Sequence, residues 1–260
     1  MDISADLLQQ IYDSLQNYNP MINELTEKVS VAMQLFGMAI LAILFIMEIQ
    51  ETSRRLDREE GGMTYEVLAE IVISFVVAFV LIKGASHLID GIVWFGGWAA
   101  KWMGKIMPIG TTLQDIPDPK GNLSWYVRPL VAFFQALAQI VQWLVSAIAT
   151  MIIFLRAITM YTYKAFAPLI IAFFMSKELK QISIGFIKQF GALVLQGALL
   201  IFIIGIMSTS IVSDLSFTMS SKSSWLENIG IYFAIILKSG LMGYLVISSQ
   251  SLAKRILGAM

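Results

Sequence analysis

Four uncharged polar side chains recur along one helical face of an otherwise apolar stretch in this 260-residue chain. Gln135, Gln139, Gln142 and Ser146 share that face, Lys164 continues the line, and Ala132, Ala138, Ala149 and Ala157 flank it. Amides and hydroxyls at this spacing exchange hydrogen bonds; they do not break covalent bonds. The face either lines a water-accessible passage or subunit seam, or glues packed helices together. Two cations share the stretch, Arg156 and Lys164, and each costs about 2.5–3.5 kcal/mol in hydrocarbon on insertion scales. Both are expected to snorkel to the cytoplasmic edge, with Glu70 available to pair with Arg156 across helices. His87 and Asp90, three apart, form either a pH-sensitive pair or an interfacial polar face.

No pattern for catalysis accompanies these residues. The chain has no Walker A loop, no His-Glu-x-x-His helix and no Gly-x-Ser-x-Gly elbow. One histidine and no cysteine exclude most metal sites, thiol chemistry and disulfides. The expectation is a protein without enzymatic activity and without a cofactor.

The elements that carry these residues follow from composition. Hydrophobic residues make up 57% of the chain and charged ones only 14%, whereas a soluble domain carries about a quarter charged. Uncharged runs reach the roughly 20 residues a helix needs to cross ~30 Å of hydrocarbon. The fold class is all-α: a polytopic transmembrane helical protein of about five spans, with amphipathic interfacial helices. Residues 1–27 hold five acids and no basic residue, so they lack the basic start of a signal peptide. They read as an extracytoplasmic amphipathic helix stopped near Asn19-Pro20. Residues 28–82 hold spans one (29–49, capped inside by Glu48) and two, joined by a cytoplasmic loop at 51–66.

Residues 83–128 form an extracytoplasmic interfacial helix and loop. Lys83, His87, Asp90, Trp94, Lys101 and Lys105 share one helical face and Phe95, Trp98, Trp102 and Ile106 another. Trp94, Trp98, Trp102, Lys101 and Lys105 are the expected anchors at headgroup level, in contact with membrane lipids. Residues 129–260 are the core, with spans three to five and a cytoplasmic loop at 177–188. From 129 to 176 no turn signal precedes Pro168; a helix that long would stretch ~70 Å. It therefore projects beyond the bilayer or breaks near Pro168, and a bend there is the expectation, because an interior proline costs a helix about 3 kcal/mol. The lysines Lys177, Lys180 and Lys188 follow. They either dock a cytoplasmic partner or anchor the loop to anionic headgroups.

Orientation is read from basic residues. Arg54, Arg55 and Arg58, the three lysines at 177–188, and Lys254-Arg255 lie inside if the amino terminus is outside and the carboxyl terminus inside. The 83–128 segment, with five basic residues, runs against the rule.

The segment 156–200 reads RAITMYTYKAFAPLIIAFFMSKELKQISIGFIKQFGALVLQGALL. Its arginine and aromatic run into Ala-Pro, its Lys-Glu, its Gly-Phe-x-Lys-x-Phe and its glycine-bearing span with a glutamine carry a resemblance. This stretch resembles the core of the polytopic channel subunit of type IV secretion systems, the TrbL/VirB-six-like family, and looks most like the Gram-positive versions. About 45 residues are covered. The resemblance implies a non-enzymatic, oligomeric subunit of the cell-membrane passage for single-stranded DNA with its relaxase in conjugation. It also implies other secretion subunits, including cytoplasmic ATPases, as partners. A small-molecule or ion transporter and a structural membrane scaffold remain as alternatives. The outside loop here is short and lacks a basic and aromatic groove for single-stranded DNA.

Overall fold

The computed structural model describes residues 5–58, 65–106, 116–121, 124–208 and 224–259. Among them every regular element is a helix: α1 (Ala5–Tyr12), α2 (Leu15–Tyr18), α3 (Pro20–Arg58), α4 (Tyr65–Lys83), α5 (Ala85–Ile106), α6 (Arg128–Ile171), a 3-10 turn (Ala172–Met175), α7 (Lys180–Ser208) and α8 (Ser224–Ile256). Five of these are long and apolar enough to cross a membrane: α3, α4, α6 with its 3-10 turn, α7 and α8. The chain is an all-α, polytopic helical protein. The expected loop at 51–66 falls partly outside the described residues.

Three boundaries differ from the sequence reading, each for a local reason. The amino-terminal helix divides at Asp13, because Ser14 caps a new start: its Oγ accepts from the Asn17 N–H at 3.3 Å. Pro20 then opens α3 instead of closing the helix before it. Proline is well suited to a first helical position, and the Asn19 Oδ1 accepts from the Ile22 N–H at 3.1 Å. The first span is therefore part of a 39-residue helix, which takes in Asn23, Glu27 and Ser30. Glu48 lies well inside that helix and caps nothing. The 177–188 loop shrinks likewise, since α7 already begins at Lys180.

The third difference concerns Pro168. The 44-residue α6 passes through it unbroken; at 1.5 Å per residue the helix is ~66 Å long, about twice a hydrocarbon core. Proline has no N–H for the Lys164 carbonyl, and the helix continues on both sides of it. The break in the helix comes later. The chain tightens into the 3-10 turn at Ala172 and leaves the helix at Ser176, whose backbone is extended (φ −81°, ψ 132°).

The chain forms two compact units. One comprises residues 14–95, 157–194 and 254–260. Here α3 and α4 lie side by side, the Phe45 and Phe75 rings 4.7 Å apart, and the 3-10 turn packs against both. Leu41, Ile82, Ile171, Met175 and Phe190 are buried in its core. The end of α6 and the start of α7 run antiparallel: Tyr163 Oη donates to Gln189 Oε1 at 2.8 Å and Ser183 Oγ to the Ile170 carbonyl at 2.7 Å. The Tyr163 ring stacks on Phe186 with centroids 4.8 Å apart. At Gly37 the backbones of α3 and α6 meet: a Cβ there would lie 2.6 Å from the Pro168 carbonyl oxygen.

The other unit comprises residues 1–13, 96–156 and 195–253. The first half of α6 runs parallel to α8, with Val131 and Ala138 buried among Tyr232 and Ile235 and Gly243 against Val145. The 116–121 segment is clasped onto the start of α8. Asn228, itself buried, accepts from the Lys120 N–H at 3.0 Å and donates to its carbonyl at 2.9 Å, and Tyr232 Oη donates to the Pro117 carbonyl at 3.0 Å.

The close approach at Gly37 is testable by sign. Gly37→Ala places a methyl into a backbone carbonyl that cannot swing away, and is expected to destabilise by about 1–3 kcal/mol. Gly185, on α7, has open space around its Cβ position, so Gly185→Ala is expected to stabilise by about 0.5–1 kcal/mol through helix propensity. Thermal unfolding in detergent should move the two midpoints in opposite directions; a Gly37→Ala protein as stable as the parent sinks the contact.

Candidate functional site

The feature with the most chemistry is a buried ammonium on α6. Asn23 and Glu27 stand one turn apart on α3, and Asn23 Nδ2 donates to Glu27 Oε1 at 2.9 Å. Asp90 lies in the second turn of α5. Lys164, with 1% of its side chain exposed, donates from Nζ to Asp90 Oδ2 at 2.8 Å, to Asn23 Oδ1 at 2.9 Å and to Glu27 Oε1 at 3.4 Å. An ammonium has three protons, and these three acceptors meet them. The carboxylate side chains are 42% (Asp90) and 52% (Glu27) exposed. The cation is sealed while its anions reach the surface, so two negative charges face one positive. One turn back along α6, Tyr161 Oη donates to the Leu15 carbonyl at 2.6 Å and lies 3.3 Å from that of Asn19. The start of α3 is thus tied to α6 beside the cluster.

This arrangement corrects three expectations. Lys164 does not snorkel, because α3 begins early enough to bring Asn23 and Glu27 to it. Asp90 pairs with Lys164 and not with His87, which is exposed. Arg156 is buried rather than at an edge: its guanidinium lies on Gly197, where a Cβ would come within 2.5 Å of Nη2. Glu70 is correspondingly not its partner. Glu70 Oε1 faces Lys177 Nζ at 3.6 Å, a pair with both side chains about two-thirds exposed and worth little in water.

The polar stripe is not one open face. Gln135 is half-buried, Gln139 exposed, and Gln142 and Ser146 buried. Lys164 has its own acceptors in the other compact unit. Among the lysines after the 3-10 turn, all exposed, Lys177 meets Glu70 and Lys180 Nζ sits 4.6 Å over the Phe174 ring; Lys188 is exposed on α7. Trp94, Trp98 and Trp102 are more than half exposed, as are Phe95 and Ile106, and Lys101 and Lys105 are exposed as well. Gln196 Nε2 donates to Ser249 Oγ at 3.2 Å, joining α7 to α8 by a buried polar contact. A glutamine amid the uncharged apolar stretch 190–206 of α7 is the signal that points to it. For Asn23 and Glu27 the signal was their i, i+4 spacing just after a proline that can begin a helix.

What the cluster can do chemically is hold charge. Among the described residues no group of three or more His, Cys, Asp or Glu side chains could hold a metal. Removing the Asp90 carboxylate takes away the short charged contact and leaves the sealed ammonium with Glu27, 3.4 Å away and half exposed, as its counter-charge, whereas removing the lysine leaves two carboxylates that water can reach. Asp90→Asn is therefore expected to destabilise more than Lys164→Met, by about 2–3 kcal/mol against about 1, the discount from 3–5 kcal/mol reflecting the exposed anions. In the double variant most of the Asp90→Asn loss should return. Unfolding midpoints in one detergent measure all three; equal losses for the two single variants would refute the asymmetry.

No protein-family model, no curated protein and no solved structure matches this chain.

Proposed function

We propose that the chain is a non-enzymatic, multi-pass subunit of a type IV secretion channel in the cell membrane. In this reading it helps pass single-stranded DNA with its relaxase during conjugation. The observation that supports the reading is where the resembling residues go. Within 156–200 three polar side chains are taken up in packing, Arg156 onto Gly197, Ser183 to Ile170 and Lys164 to carboxylates outside the segment, while Tyr163 meets Gln189 at the surface. The stretch that resembles the family is a packing core, with its lysines at 177–188 left on the surface. The orientation belongs to the same proposal: amino terminus outside, carboxyl terminus inside, and Lys177, Lys180 and Lys188 toward the cytoplasm to dock an energising ATPase. The subunit works as a homo-oligomer or together with other secretion subunits, since one polar stripe cannot enclose a strand-sized pore.

A second reading has its own observation. Buried ionisable residues with surface-reaching partners occur in proton and ion pathways, and Lys164 with Asp90 and Glu27 fits an ion-coupled transporter. DNA transfer separates the two. Deleting the gene in a cell that carries it on a conjugative element should abolish transfer under the channel reading and leave it intact under the transporter reading.

Two sharper outcomes follow for the channel. Combining Lys177→Gln, Lys180→Gln and Lys188→Gln should leave insertion normal but reduce transfer at least a hundredfold and abolish ATPase co-purification. Normal transfer would reduce these lysines to lipid anchors. In the otherwise cysteine-free chain, Gln139→Cys should crosslink between subunits in membranes, whereas the buried Gln142→Cys should not. Crosslinking at neither, in a functional channel, would remove the stripe from the subunit seam.

A further inference from the structure

We infer that the end of the 96–156 and 195–253 unit that carries the α5 carboxyl terminus and the α6 amino terminus is a headgroup-level surface for anionic phospholipid. On α5, Trp98 and Trp102 stack with centroids 6.3 Å apart and planes 9° from parallel, and both are more than half exposed. Lys101 and Lys105 occupy the next helical edge and are exposed as well. No carboxylate lies between Gly91 and Ile106. The adjoining side of this helix is committed to the fold: Ala100 is buried, and a Cβ at Gly97 would come within 2.7 Å of the Tyr12 carbonyl. Across the connection, just before α6, stand Trp125 and Tyr126, edge to face at 6.1 Å and 84% and 67% exposed. Both helix ends that flank the connection therefore display aromatic side chains with a polar handle.

One environment satisfies all six side chains. An indole ring gains by leaving water, yet its N–H needs a partner, and the boundary between hydrocarbon and headgroups supplies both. A lysine there rests its methylenes on the apolar layer and extends its ammonium to phosphate. Water alone leaves four large rings hydrated. A second protein copy would have to neutralise two lysines that no acid of this helix segment balances. The partner is thus the bilayer itself, with an anionic headgroup on Lys101 and Lys105. This inference does not depend on the secretion reading.

Because the chain has no cysteine, single spin labels test it on the full protein in nanodiscs. With Trp98→Cys, Trp102→Cys and Trp125→Cys carrying a nitroxide, collisions with oxygen should exceed those with a water-soluble nickel complex, at a shallow depth common to all three. A depth near the bilayer centre, collisions dominated by nickel, or low access to both reagents with spin–spin broadening from a second copy would each overturn the assignment. The charge is tested separately with spin-labelled lipids. The preference for phosphatidylglycerol over phosphatidylcholine should fall about fivefold for each of Lys101→Gln and Lys105→Gln. It should not respond to Lys28→Gln, whose lysine is already paired with Glu24 at 2.7 Å. An unchanged preference in the lysine double variant overturns the anionic partner.

Discussion

A lysine ammonium withdrawn from water must be surrounded by acceptors, and at least one of them must carry charge. At Lys164 this demand selects the geometry of a whole compact unit. The acceptors come from two other helices, α3 and α5, so both must approach α6 at the same height. That approach fixes where α3 begins, since Asn23 and Glu27 have to be helical and one turn apart. It also fixes the crossing one layer further on, where Gly37 admits the backbone of α6 at Pro168. Beyond that layer the packing is apolar, from Leu41 and Ile82 to Met175. The next ion pair, Lys177 with Glu70, is exposed. A sealed charge cluster at one end and a loose pair at the other thus bracket a largely apolar slab, in which Ser183 and Tyr163 add hydrogen bonds between α6 and α7.

Much of this fold was legible because lipid leaves the backbone few choices. Every amide in hydrocarbon needs a partner within its own segment, so long apolar runs in this sequence become helices. Periodicity also placed the exposed aromatic edge of α5. The misreadings have a common cause. By local habit Pro20 closes a helix and Glu48 caps one, yet each sits at the start of or inside a longer helix that tertiary contacts support. A proline can open a helix as readily as it closes the one before, and spacing along the chain does not say which.

The candidate site was only half visible for a different reason. That Arg156 and Lys164 were costly was plain from their surroundings. That Lys164 would be matched by residues 23, 27 and 90 was not, because a pairing between segments more than 70 residues apart leaves no mark in local spacing. The glutamines show the converse. Their common face on α6 was correctly placed by helical geometry, but burial divides it, with Gln142 and Ser146 inside and Gln139 outside. Periodicity reports which side chains share a face; it does not report how much of that face a neighbour covers.

The order of residues in the Lys164 cluster has a consequence for biosynthesis. Asn23, Glu27 and Asp90 all precede the lysine, so they leave the ribosome and reach the membrane first. When α6 emerges, its cation meets counter-charges already in place, and the helix need not be threaded into lipid as an isolated charged segment. The reverse order would leave the lysine without a counter-charge for more than seventy residues of synthesis. A circular permutant that moved the first helices to the end of the chain would keep every contact of the finished protein and still face that delay.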